Sequence, residues 1–248
     1  MLKKLLISFL FPLAFAAARE ESLTVGITSG YAPFVSLNDK GEYEGFDIDL
    51  AQELSKRLGR KLVFKDLGSM PSLMLGLKQG QIDALIWAVS ITEERKKNME
   101  MIYYQGEQVT QMPLVFWNEI PGGIEAWADL KGKPVCVEAG SYQESVLKKI
   151  EGIKLKYLDK AADAVLELKY GKSLATCLDA SLLPKLQRQF PKLKIKMIPL
   201  PPEERSLGNG ICIAPSNREL AAQVEAAVEA MREEGIIAQF EKKWGLSP

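Results

Sequence analysis

Apolar positions along this chain alternate between the period of a strand and the period of a helix. Residues 22–28 alternate and are rich in β-branched side chains, which predicts a first strand. Residues 47–58 repeat their apolar positions at three and four residues and stop at Gly59, which predicts a helix. The same reading gives strands over 61–65 and 83–90, helices over 72–78 and 92–99, and a turn over 41–45. An extended run follows over 109–116, then a Pro-Gly-Gly loop at 121–123. The alternation restarts with strands over 133–137, 154–157, 174–178 and 194–198 and helices over 142–150, 161–170 and 182–189. After the proline-rich 199–202, a strand over 210–214 leads into a long helix over 217–234, with Leu220, Val224, Ala227, Val228 and Met231 on one stripe. A short helix over 236–244 closes the chain. Strands alternating with helices imply parallel α/β sheets, here as two successive units with a C-terminal return. Ligands of such sheets bind beyond the carboxyl ends of the strands.

The first 18 residues follow neither period. Lys3 and Lys4 precede an apolar run over 5–15 that is too short to span a bilayer, and small-x-small patterns follow at 14–18. This is the pattern of a secretory signal peptide, with the mature chain starting near 17–20 and no lipobox cysteine after the run. A soluble extracytoplasmic, periplasmic location is expected.

The 248 residues suffice for one large or two small domains, and 32 basic residues balance 32 acidic ones, which gives no hint of nucleic-acid binding. With no histidine, Ser-His-Asp and Cys-His catalysis and histidine-held metals are excluded. Cys136, Cys177 and Cys212 lie in separate apolar runs and read as buried free thiols, although one disulfide between two of them stays open. Tyr170-Gly171-Lys172-Ser173 ends like a phosphate-binding loop but closes a helix and lacks the first glycine, so ATP binding is not supported.

The segment D-A-L-I-W-A-V-S-I-T-E-E-R over 83–95 carries the most chemistry. A cation in a helix's first turn opposes the helix dipole. Yet Arg95 beside the hydroxyls of Ser90 and Thr92 makes a fork suited to a carboxylate. The alternative is a simple N-cap with Arg95 in solvent. In the second unit, Gly140-Ser141-Tyr142 opens a helix. Asp179 follows a strand, either facing a ligand ammonium or capping the helix after it. Tyr31 and Phe34 follow the first strand, Phe34 reading as core. Asp47 and Asp49 read as helix-start residues and not metal ligands.

In order along the chain, Y-A-P-F (31–34), E-G-F-D-I-D-L-A (44–51), I-D-A-L-I (82–86), S-I-T-E-E-R (90–95), Y-Y (103–104), D-L-K-G-K-P-V (129–135) and the R-E-E-G…K-K-W end (232–244) resemble the bacterial extracellular solute-binding proteins that serve polar amino-acid ABC transporters. Y-G-K-S (170–173), L-P-P-E (200–203), L-G-N-G (207–210) and K-K-W-G-L-S (242–247) look like the arginine-binding branch. The resemblance implies a two-lobed type II periplasmic-binding fold, with lobe 1 over 22–109 and 208–248, lobe 2 over 110–207, and two crossover segments. It implies that Arg95, Ser90 and the Ser141–Tyr142 region hold an α-carboxylate, that Asp179 holds an α-ammonium, and that Tyr31 and Met70 flank the side chain. Trp87 and Ala88 replace residues that are often small or hydroxyl-bearing, which leaves a backbone carbonyl to serve there instead of a side chain. Thr28 stands where some basic-amino-acid binders carry an acid. Glu138 could supply that charge, or be an exposed strand end, and Trp87 could offer a cation–π face. A monomer that hands a free amino acid to a permease of the inner membrane is expected, without cofactor or catalysis. The alternative is an enzyme on the same fold, such as a dehydratase of cyclic carboxylates.

Overall fold

The structure is a computed structural model that describes residues 21–246; the proposed signal peptide lies outside the described residues. Two five-stranded sheets form two lobes. The first contains β1 (Ser22–Ile27), the short hairpin β2 (Ser36–Leu37) and β3 (Tyr43–Glu44), α1 (Phe46–Arg57), β4 (Lys61–Asp66), α2 (Met70–Lys78), β5 (Ala84–Ser90), α3 (Glu93–Lys96) and β6 (Glu100–Gln105). The second contains β7 (Gln111–Trp117), β8 (Pro134–Glu138), α4 (Tyr142–Leu147), β9 (Lys154–Leu158), α5 (Ala161–Lys169), β10 (Ala175–Cys177), α6 (Leu183–Gln189) and β11 (Leu193–Pro199). The chain then returns to the first lobe as β12 (Asn209–Ile213), α7 (Arg218–Glu233) and α8 (Ile236–Trp244).

The sheet orders are β4-β1-β5-β12-β6 and β11-β7-β10-β8-β9. The purely parallel sheets expected from the alternation need correction. β1, β4 and β5 run parallel, as do β8, β9 and β10, but β12 is antiparallel to β5 and β6, and β7 is antiparallel to β10 and β11. β7 and β12 are the strands by which the chain enters one lobe from the other, so each comes into its sheet from the opposite end. Strand β6 was not among the expected elements, and the helix expected over 92–99 is a single turn, Glu93–Lys96, followed by β6, which pairs with β12.

Each lobe buries its own core. Leu23, Val25, Ile27, Leu85 and Ile213 are fully buried between the helices of lobe 1, and Leu114, Leu130, Val135 and Ala175 are buried in lobe 2. The α7 stripe packs as its spacing requires, with Leu220, Val224, Val228 and Met231 buried and Asn217 capping the helix through Leu220 N–H. Asp49 accepts from Trp244 Nε1 and Lys243 Nζ, each at 2.6 Å, which fastens α8 to α1. Cys136, Cys177 and Cys212 are buried and free. No helix among the described residues is long and apolar enough to cross a membrane.

Candidate functional site

The strands of both lobes end at the cleft between them, and the side chains there come from strand ends and helix starts. Ser90 ends β5, and Thr92 caps α3 by accepting from Arg95 N–H at 3.2 Å. The guanidinium of Arg95 turns back and spans the cleft. Its Nη1 donates to the Ser90 carbonyl and its Nη2 to the Gly140 carbonyl of lobe 2, both at 2.8 Å. No carboxylate pairs with Arg95 among the described residues, and burial lowers its pKa below the ordinary guanidinium value. The cap expected of the simpler alternative exists, but Arg95 faces the cleft and not solvent, so that alternative fails in its second half.

Across the gap, β8 ends at Glu138 and Gly140 adopts a left-handed φ of 74°. A Cβ at Gly140 would meet Met70 Cγ at 3.1 Å, so glycine lets the lobes approach here. Ser141 caps α4 by accepting from Glu144 N–H at 3.1 Å, and Glu144 reaches back to Gly140 N–H. Ser141 keeps its hydroxyl proton for another acceptor. Tyr142 is buried, with its hydroxyl donating to the Glu204 carbonyl. Asp179 caps the 3-10 turn Ala180–Leu182, accepting from Ser181 N–H at 2.8 Å and Ser181 Oγ at 2.6 Å.

Tyr31 packs against the cores of both lobes, and its ring lies 5.1 Å from Trp87 and 5.6 Å from Phe34. Phe34 itself is buried in the lobe 1 core. Burial, then the carboxylates of Asp179 and Glu138, push the Tyr31 phenol well above its usual range. Loss of solvent, then Asp179 and Asp159, push Glu138 up to about 7. Glu138, Asp159 and Asp179 form no salt bridge among the described residues, and no cluster there could hold a metal.

Tyr31, Met70, Trp87, Ala88, Ser90, Arg95, Glu138, Ser141, Tyr142 and Asp179 all line one inner chamber with about 30 Å³ of free space. Gln143, Cys177, Leu178 and Leu182 line it too and were not among the expected site residues; Cys177 was expected only as a buried thiol. Cys177 and Leu178 lead directly into Asp179, and Gln143 follows Tyr142, so neighbourhood to a candidate was the only available signal. Tyr31, Trp87, Glu138 and Leu182 also wall a larger chamber of about 670 Å³, which adds Asp66 and Asp159.

A two-lobed α/β chain with a bipolar inter-lobe cleft is a ligand-binding protein of the type II periplasmic class. The family of bacterial extracellular solute-binding proteins, family 3, matches residues 23–247, and the chain belongs to it. A probable ABC transporter arginine-binding protein, ArtJ, of Chlamydia trachomatis serovar D is 36% identical over 230 residues, covering 93% of this chain and 88% of that one. ABC transporter arginine-binding protein 1 of Escherichia coli K12 is 27% identical over 248 residues, covering 98% and 99%. The solved structure of an ancestral arginine-binding protein bound to arginine superposes with a TM-score of 0.78 at 31% identity, covering 91% of this chain and 98% of that one. The protein is a solute-binding protein, and the dehydratase alternative finds no support among its relatives.

Proposed function

We propose that this protein is the periplasmic component of an amino-acid ABC transporter and binds a basic L-amino acid, arginine foremost, between its lobes. One observation carries the reading: an inner chamber lined by the guanidinium of Arg95 and the carboxyl groups of Asp179 and Glu138, none of them in a salt bridge among the described residues. A zwitterion with a cationic side chain neutralises all three, and it enters with the lobes parted, because the chamber as it stands has room for little more than a water molecule. Arg95, with the hydroxyls of Ser90 and Ser141, takes the α-carboxylate through charge-assisted hydrogen bonds. Asp179 takes the α-ammonium. The side chain runs along Met70 and past the contacting rings of Tyr31 and Trp87, whose outer faces favour a cation, and its charged end reaches Glu138 at the edge of the larger chamber. Thr28 does not supply this charge: its hydroxyl donates to Asp66 at 2.9 Å. The names of the relatives point to the same ligand.

Lobe 1 spans 22–109 and 208–248, and lobe 2 spans 110–207. The crossovers pair at Val109 and Ser206 and act as the hinge. Residues 1–18 direct export and are removed. The mature monomer closes on its ligand and docks on an inner-membrane permease. The test is a thermal-shift and calorimetry screen of the mature chain against the common amino acids and citrulline, the neutral analogue of arginine. Arginine should stabilise most, at 100 times Kd by about 2.7 kcal/mol. Citrulline binding as well as arginine would remove Glu138 from the reading, and no shift with any amino acid would sink it.

A further inference from the structure

Trp87 and Ala88 are consecutive in β5, yet both line the inner chamber, as does Ser90. Neighbours in a regular strand point to opposite faces. The alternation fails because Ala88 takes a left-handed φ of 43°, a conformation that alanine rarely adopts. The sheet records the same event. Val89 pairs with Gly210 and Leu85 with Cys212, so residues 86–88 stand opposite Ile211 alone. A bulge of this kind re-aims side chains and strands a backbone N–H outside the ladder.

That N–H has a dedicated acceptor. Ala88 N–H donates to Asp47 Oδ2 at 2.8 Å, and Asp47 Oδ1 accepts from the Tyr104 hydroxyl at 2.8 Å. Asp47 is fully buried and Tyr104 nearly so. Asp47 stands at the start of α1, as its sequence position suggested, but a helix-start acid needs neither burial nor a partner 41 residues away. We infer that Asp47 is a positioning residue for ligand binding: it holds Ala88 in the left-handed bulge that turns Trp87 and Ala88 together into the cleft. Tyr104 fixes the carboxylate in turn, so the second aromatic of the 103–104 pair belongs to the same device.

The inference takes its ligand from the proposed function, and its test keeps the two apart. Calorimetry with L-arginine and amide hydrogen exchange by NMR are run on the mature chain, Asp47→Ala, Asp47→Asn and the double variant D47A/A88G. Asp47→Ala should bind at least tenfold more weakly and exchange the Ala88 amide at least tenfold faster. Asp47→Asn retains an oxygen acceptor and should stay within threefold of the parent in affinity. Glycine adopts the bulge without a Cβ, so D47A/A88G should regain at least threefold of the lost affinity. Unchanged affinity in Asp47→Ala, an Asp47→Asn variant as weak as Asp47→Ala, or no recovery in the double variant would each overturn the assignment. If Asp47→Ala does not melt cooperatively, the unsubstituted protein decides: its Ala88 amide should exchange as slowly as that of Leu85, and surface-like exchange overturns the bulge clamp. If the parent does not bind arginine, the ligand reading fails, while the exchange rates still test Asp47.

Discussion

A carboxylate that loses solvent without gaining a cation holds its proton, and Glu138 is in that position. Its pKa of about 7 in the folded chain exceeds the usual value of 4.5. As pH rises from about 4.5 to about 7, the unfolded chain loses the proton before the folded one does. Stability therefore falls through that window and levels off above it, by at most about 3 kcal/mol from this residue. Glu138→Gln should be more stable than the parent at pH 8 and equal to it at pH 4 in ligand-free thermal melts. A bound cation reverses the balance by drawing the proton off Glu138. Arginine affinity should then rise with pH through about 7, with proton release visible as buffer-dependent binding heats below that pH, and Glu138→Gln should lose both. Equal pH profiles in parent and variant would mean that Glu138 does not meet the ligand. Sequence legibility at this scale depended on position. Arg95, Ser141 and Asp179 were readable because strand ends and helix starts cluster at the cleft of an α/β fold. Cys177, Leu178 and Leu182 look like core residues, which they also are, and Asp47 looks like an ordinary helix-start acid because its partners, Ala88 and Tyr104, lie far away in the chain.

Among the elements, the β8–α4 connection does most to set the cleft geometry. Gly140 combines a left-handed φ of 74° with contact distance to Met70 of α2 in the other lobe, and its carbonyl receives Arg95. Gly140→Ala should cost about 1–2 kcal/mol from backbone conformation alone. It should also hold the lobes apart by crowding Met70, so its arginine affinity should drop at least tenfold in calorimetry. Shortening the obstacle in Gly140→Ala/Met70→Ala should not restore stability, because the backbone strain persists. A Gly140→Ala protein as stable and as tight as the parent would show that neither the φ nor the contact matters. Helices and parallel strands were readable from their periods, but the direction of β7 and β12 was not. Periodicity states which faces a strand buries and says nothing about the end from which it enters a sheet. β6 escaped for a related reason: in Glu100–Gln105 the burial alternates only in part, and Tyr103 is exposed beside buried Tyr104.

At the scale of the whole molecule, the packed lobes meet across the cleft, and Arg95 bonds to both sides of it. Tyr31 adds apolar contact to both cores, and Val109 pairs with Ser206 where the chain crosses. Closure by hinge motion is favoured only by contacts that exist in the closed form and not in the open one. The Arg95–Gly140 bond joins the two lobes, and in the proposed reading a carboxylate held between Arg95 and Ser141 does the same. Arg95→Ala removes both, and its loss of binding should be about 2–5 kcal/mol, the range for truncating one partner of a buried charge pair. Affinity alone cannot separate weaker ligand contact from weaker closure, but shape can. In small-angle scattering at saturating arginine, the parent should compact. Arg95→Ala, saturated at a correspondingly higher concentration, should stay more extended, with ligand anchored through Asp179 and Glu138 in a cleft that closes incompletely. Full compaction of the variant would reduce Arg95 to a ligand contact and leave Tyr31 and the apolar walls to draw the lobes together.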